Sequence, residues 1–106
     1  MGITPFNFPL NLVAHKVAPA IATGSPILIK PSPFALKTTQ KLCQLIESLH
    51  PGVVECAAVS DTEAAAALTQ SPEIATVSFT GSAAVGWKIR AQAAQKPVLL
   101  ELGGYP

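Results

Sequence analysis

The sequence predicts an α/β fold: a Rossmann-like, doubly wound parallel sheet of about five strands with four helices, in spatial order 3-2-1-4-5. Three observations lead there. Short apolar runs alternate along the chain with segments of helical period. The runs are continuously apolar, as strands covered on both faces are. Charge is sparse, 12% of 106 residues against 49% hydrophobic, so most elements must be buried on more than one side.

The elements follow in order. Gly2–Asn7 reads as a strand stub ending in a turn. Leu10–Ala22 reads as a helix, with Leu12, Val13, Val17 and Ile21 at helical spacing and Gly24 as its stop; Pro19 should kink it. Pro26–Lys30, around Ile27-Leu28-Ile29, is a buried second strand between prolines. Ala35–Leu49 is a second helix with Leu42, Leu45, Ile46 and Leu49 on one face, broken by Pro51-Gly52. Val53–Val59 is a third strand. Its Glu55 suits an edge position, where a charge discourages sheet-to-sheet pairing. Asp61 can cap a third, alanine-rich helix running through Gln70. Thr76–Phe79 is a fourth strand, Ser82 caps a fourth helix to about Gln95, and Pro97–Leu102 is a fifth strand. With strand three at an edge, the topological switch lies between strands one and four. Ligands bind there, outside the carboxyl ends of the strands.

Composition narrows the function. A chain of this length makes a single domain, 1–106, burying roughly 60–68% of the surface it exposes unfolded. The net charge of +1 and the absence of a Lys/Arg cluster argue against a nucleic-acid partner. No apolar run reaches the roughly 18 residues of a membrane span, and Met1–Phe8 lacks the layout of a signal peptide, so the expected location is cytoplasmic. Cys43 and Cys56 are too few for a disulfide framework or a zinc site, and no metal is expected. Both read as core packing, Cys43 beside Leu42 and Ile46, Cys56 inside an apolar strand. His15 and His50 have no partner that suggests catalysis.

Chemistry-bearing residues gather at the strand ends. Thr80-Gly81-Ser82 turns into the fourth helix; Gly81 permits a sharp turn, and Ser82 sits where unpaired N–H groups and the helix dipole attract phosphate. The competing reading is an ordinary Ser-capped helix. Gly86, one turn in, allows close helix–sheet packing. Asn7, between Phe6 and Phe8, has an amide able to donate to a developing oxyanion, or else it stabilises its own turn. Lys30, before Pro31-Ser32, can meet a ribose hydroxyl or a phosphate, or is simply solvated. Glu101 follows an apolar run, so partial desolvation should raise its pKa and suit a general base; alternatively it only marks a strand end. All four point toward one crevice.

Pro5-Phe6-Asn7-Phe8-Pro9-Leu10, Ala18-Pro19-Ala20-Ile21-Ala22-Thr23-Gly24, Lys30-Pro31-Ser32, Ser78-Phe79-Thr80-Gly81-Ser82 with Gly86, and Leu100-Glu101-Leu102-Gly103-Gly104 resemble, in order and spacing, the aldehyde dehydrogenase superfamily. The resemblance implies the cofactor-binding portion of an enzyme that oxidises an aldehyde to a carboxylic acid through a thioester, with NAD or NADP as cofactor. By that resemblance Asn7 stabilises the oxyanion and Glu101 activates the deacylating water. Lys30 contacts the adenosine ribose or a 2′-phosphate, with Ser32 beside it. Ser82 and Gly81 meet the pyrophosphate, Leu102 and Gly103 line the nicotinamide end, and Thr4, Pro5 and Phe6 complete the cofactor contacts.

Departures from the family pattern carry their own expectations. Its nucleophilic cysteine, a few dozen residues beyond the glutamate, has no counterpart among these residues, so the chain by itself should be inactive, with the catalytic-cysteine domain expected to be absent from it. Pro33 replaces a ribose-binding glutamate, which keeps NADP open. Val59-Ser60-Asp61-Thr62 replaces a glycine-rich turn, and Tyr105 a polar residue. The alternative function is a non-catalytic nucleotide-binding or interaction module. On the fourth helix, at about 100° per residue, Val85, Ile89 and Ala93 should face the sheet, with Trp87 opposite beside Ala83, Ala91 and Ala94. The matching helix packs across the subunit contact in the family, so a homodimer around Trp87 is expected.

Overall fold

Five strands and four helices alternate along the computed structural model, which describes residues 1–59 and 62–104. They are β1 (Gly2–Ile3), α1 (Asn11–Ala22), β2 (Ile27–Lys30), α2 (Leu36–Leu49), β3 (Val54–Cys56), α3 (Thr62–Gln70), β4 (Val77–Gly81), α4 (Ala83–Gln92) and β5 (Val98–Leu102). A short 3-10 turn, Pro33–Ala35, precedes α2. All strand pairs are parallel, in the order β3-β2-β1-β4-β5 that the sequence predicts. The switch point therefore falls between β1 and β4.

Two apolar clusters hold the layers together. Val13 and Val17 of α1, Ile29 of β2, Cys43 of α2 and Val54 of β3 form one; Ile3, Val77, Phe79 and Ile89 form the other. Gly2 faces Ile29 and Lys16, whereas Ile3 belongs to the second cluster. Successive strand residues point to opposite faces, so the clusters lie on opposite sides of the sheet.

Several boundaries differ from expectation for local reasons. β3 is shorter than Val53–Val59. Its ladder with β2 runs from Ile27↔Val54 to Ile29↔Cys56 and ends with Ala57 N–H donating to the Ile29 carbonyl at 2.7 Å. Beyond Lys30 the partner strand offers Pro31, which has no N–H to continue the ladder. α4 stops at Gln92 instead of near Gln95: the Ala93 N–H closes on Ile89 and Ala94 takes a left-handed φ of 55°. α1 continues past Pro19 to Ala22. The ring lies on the exposed side, where the carbonyl that loses its partner can meet water, and Thr23 restores the pattern through its N–H to the Pro19 carbonyl.

The buried face of α2 is not the leucine face. Thr39 and Cys43 are buried, with Leu42 and Ile46 flanking, while Leu45 and Leu49 are exposed. The face that meets β3 is set by where the 3-10 turn delivers the helix, with Ala35 buried and Thr39 Oγ1 donating back to its carbonyl at 3.0 Å. On α4 the inward residues are Gly86, Ile89 and Ala93; Val85 is exposed, displaced by Gly86 as the point of closest approach to Leu102 and Phe79. Trp87 is exposed, as expected. The expected cap at Asp61 and the departure at Tyr105 lie outside the described residues.

Candidate active-site rim

The residues singled out at the strand ends are set by strand register. Ile3 is flanked by Lys30 and Phe79, Thr80 by Glu101, and Gly81 by Leu102. Thr4 extends β1 by one bond, its N–H donating to the Lys30 carbonyl at 3.2 Å. Reading across the rim from β2 to β5 gives Lys30, Thr4, Gly81 and the Glu101–Leu102–Gly103 segment. Asn7 lies exposed in the bend after β1, one residue before Phe8, whose φ of 48° is uncommon for a residue with a Cβ.

The α4 terminus fits an anionic group. Ser82 is extended (φ −69°, ψ 149°), and its Oγ accepts from the Val85 N–H at 3.4 Å. The Gly86 N–H is taken by the Ser82 carbonyl. The Ala83 and Ala84 N–H groups have no partner among the described residues, and the first turn carries no acidic side chain. Two free donors and an uncompensated dipole therefore open onto the switch point. Gly81 does not supply a left-handed turn; the positive-φ glycines are Gly24 and Gly52.

Beside β1 and β2, Phe6 and Phe34 meet edge to face at 6.2 Å and form an exposed aromatic wall. Ser32 caps the 3-10 turn through Oγ, which accepts from the Phe34 N–H at 3.3 Å. Pro5 is half-buried. Thr4 is buried, and its Oγ1 is the unpaired buried side-chain polar atom among the described residues. Burial pulls the half-buried Lys30 ammonium below the usual lysine range.

Glu101 is not desolvated as expected: its side chain is 67% exposed. Exposure alternates along β5, with Leu99 and Glu101 outward, because only one face of this edge strand is covered. What holds the carboxylate is a residue the sequence reading passed over. Lys16 of α1 has a side chain only 3% exposed; its Nζ donates to Ser78 Oγ at 2.8 Å and stands 3.6 Å from Glu101 Oε1. Thr80 Oγ1 donates to the same Glu101 oxygen at 3.5 Å. Burial pulls the Lys16 pKa down, and Glu101 pulls it back up. Gly2 makes the passage possible, since a Cβ there would stand 3.0 Å from Lys16 Cδ and 2.8 Å from Ile29 Cδ1. The available signal was positional: Lys16 lies three residues after Val13 and one before Val17, on the buried stripe of α1. Among the described residues no hydrogen bond joins Asn7, Lys30 or Ser82 to Glu101.

Known proteins share the sequence pattern and the fold. A sequence profile of the aldehyde dehydrogenase family matches residues 1–105. The peroxisomal aminoaldehyde dehydrogenase 2 of Pisum sativum is 44% identical over 106 residues, covering 96% of this chain and 21% of that protein. The crystal structure of succinate-semialdehyde dehydrogenase from Burkholderia pseudomallei superposes with a TM-score of 0.90 at 39% identity, over 97% of this chain and 22% of that one. A betaine aldehyde dehydrogenase from Staphylococcus aureus, solved in complex with NAD+, gives 0.90 at 36% identity, over 97% and 21%. The chain thus spans about a fifth of the length of the relatives it matches.

Proposed function

The chain belongs to the aldehyde dehydrogenase family, and from that premise we propose that its rim holds a nicotinamide dinucleotide, NAD or NADP, for oxidation of an aldehyde to an acid. The observation that carries the reading is the α4 terminus, with its two free N–H donors, opening directly off β4 at the switch point. Ser82 and the Ala83 and Ala84 N–H groups would hold the pyrophosphate, and Lys30 with Ser32 the adenosine ribose or its phosphate. The Leu102–Gly103 backbone would line the nicotinamide end, with Thr4, Pro5 and Phe6 on the β1 side. The bound dinucleotide supplies the hydride acceptor.

The chain's own residues handle charge and protons. The Asn7 amide donates to the aldehyde oxygen as it gains negative charge. Glu101, exposed to water, takes a proton from the attacking water molecule. Lys16 is a positioning residue, since its ammonium fixes one Glu101 oxygen from beneath the sheet. Neither Cys43 nor Cys56 stands at the rim to attack the aldehyde: both pack in the cluster between α2 and β3, where burial pushes Cys43 up to about 11 and raises Cys56. The 106 residues alone are therefore expected to produce no NADH above background from any of a range of aldehydes. Turnover abolished by Glu101→Gln would overturn this.

Ser82→Asp tests the dinucleotide reading. Aspartate remains a good N-cap, so α4 persists, but its carboxylate occupies the anion position. The Kd for NAD+ by titration calorimetry is expected to rise at least about tenfold, or ~1.4 kcal/mol. Unchanged affinity with unchanged circular dichroism would remove the site from α4.

The outer face of α4 supports a homodimer. Trp87 is 62% exposed, with Ala83, Ala91 and Ala94 also exposed, a large apolar side chain among small ones. Sedimentation equilibrium is expected to give a dimer for the parent and a monomer for Trp87→Glu. A monomeric parent at high micromolar concentration would rule this contact out.

A further inference from the structure

Two thiols that the proposed chemistry does not use meet where α2 lies on β3. Cys43 sits in the middle of the buried face of α2, 6% exposed, and Cys56, half-buried, ends the edge strand. Both pack in the cluster around Val54, and both line one open cavity of about 720 Å³ whose walls include Gln40, Gln44, Glu47 and Glu55. The cavity opens the side of the cluster on which both cysteines lie. The two thiols also influence each other directly: Cys56 adds to the upward displacement of Cys43, while Cys43 pulls Cys56 back down. Among the described residues no group of three or more His, Cys, Asp or Glu gathers to hold a metal. Two thiols in one packed cluster are the reactants that sulfur–sulfur bond formation needs.

We propose that Cys43 and Cys56 are a redox modification site, which a small disulfide of the glutathione class converts to an intramolecular disulfide. Cys56, the more exposed thiol, loses its proton to solvent and attacks one sulfur of the small disulfide. That S–S bond breaks, a mixed disulfide forms on Cys56, and one small thiolate leaves. Cys43 then loses its proton and attacks the Cys56 sulfur, releasing the second small thiolate. Two protein thiols and one small disulfide thus become one protein disulfide and two small thiols. The first step is slow at neutral pH, because both thiols are raised, and quickens by up to about tenfold per pH unit. The second is intramolecular, because both cysteines belong to one packed cluster. The bond fastens α2 to the sheet edge.

Incubation of the full chain with oxidised glutathione, acid quench and alkylation with N-ethylmaleimide tests this. Digestion after glutamate cuts the chain at Glu47, between the two cysteines, so a linked peptide pair identifies the bond by mass. The parent is expected to lose both alkylatable thiols as that pair, without accumulating a glutathione adduct. Cys43→Ser is expected to accumulate the adduct on Cys56, and Cys56→Ser to react at least about tenfold more slowly than the parent. Retention of two alkylatable thiols, a lasting adduct on the parent, or linkage only between chains would overturn the proposal. The parent result decides the matter even where a variant folds poorly.

Discussion

Replacing Ser78 with alanine is expected to cost about 2–3 kcal/mol of folding stability, although the side chain lost is one hydroxyl. The hydroxyl holds the Lys16 ammonium at 2.8 Å, and the lysine side chain is 3% exposed. Without it the charge remains under the sheet with only Glu101, at 3.6 Å and itself largely solvated. A buried charge stripped of a near partner costs more than an ordinary lost hydrogen bond. Adding Lys16→Met should restore most of the loss, because methionine fills the same path without a charge. Urea unfolding of the parent, both single variants and the double variant closes the cycle. Equal midpoints for Ser78→Ala and the double variant would show that Lys16 is not the source of the penalty. The pH dependence follows from the same burial. Lys16 titrates below 10.5 in the folded chain, so the unfolded chain holds the extra proton between those two values. Its contribution to stability therefore rises with pH from the folded value up to 10.5, and Lys16→Met removes that rise. Cys43 acts oppositely: protonated when folded up to about 11, against 9.0 unfolded, it makes stability fall across that interval.

Ile29→Ala carries the other large effect, about 3–4 kcal/mol. Ile29 is 0% exposed, on the second strand of the sheet, enclosed by Val13, Val17, Cys43 and Val54, with its Cδ1 occupying the space above Gly2. Deleting three buried carbons removes transfer free energy and leaves a cavity that α1 and α2 can only partly close. Domains of this kind hold about 5–15 kcal/mol in all, so the loss is a sizeable fraction. Leu49→Ala is the contrast: Leu49 is 75% exposed and should change stability by no more than about 0.5 kcal/mol. Comparable urea midpoints for the two variants would mean that the buried face of α2 is assigned wrongly.

The strand order was legible because it follows from few constraints. Glu55 needs an edge, and it is exposed on β3, at the edge. Ile27-Leu28-Ile29 needs cover on both faces, and β2 lies inside the sheet. Details that depend on how one element sits against another were not legible. Leu45 and Leu49 keep helical spacing yet lie outside, since packing of Ala35 and Thr39 fixes the rotation of α2. Lys16 lies on the buried stripe of α1, but how a lysine fits there becomes clear only where Gly2 leaves room for its stem. Cys43 and Cys56 read as separate core residues, because nothing in their spacing says that α2 crosses β3 at that point. At the site, sequence assembled the rim by strand ends, but it expected a desolvated Glu101 where alternation on an edge strand turns the carboxylate outward.

The central strand is two residues long and is stitched to neighbours far apart in the chain: Gly2 and Ile3 pair with Ile29 and Lys30 on one side and with Ser78 and Phe79 on the other. This sets an order of assembly. β2, α2 and β3 make local contacts and can condense once about the first half of the chain has emerged from the ribosome. β1 can dock on β2 then, but its other edge stays open until β4 is made, and an open edge of a nascent sheet invites pairing with other chains. Contacts of such long sequence separation also close slowly. The gap between β1 and β4, where the dinucleotide is proposed to sit, consequently joins the neighbouring strands that lie farthest apart in the chain.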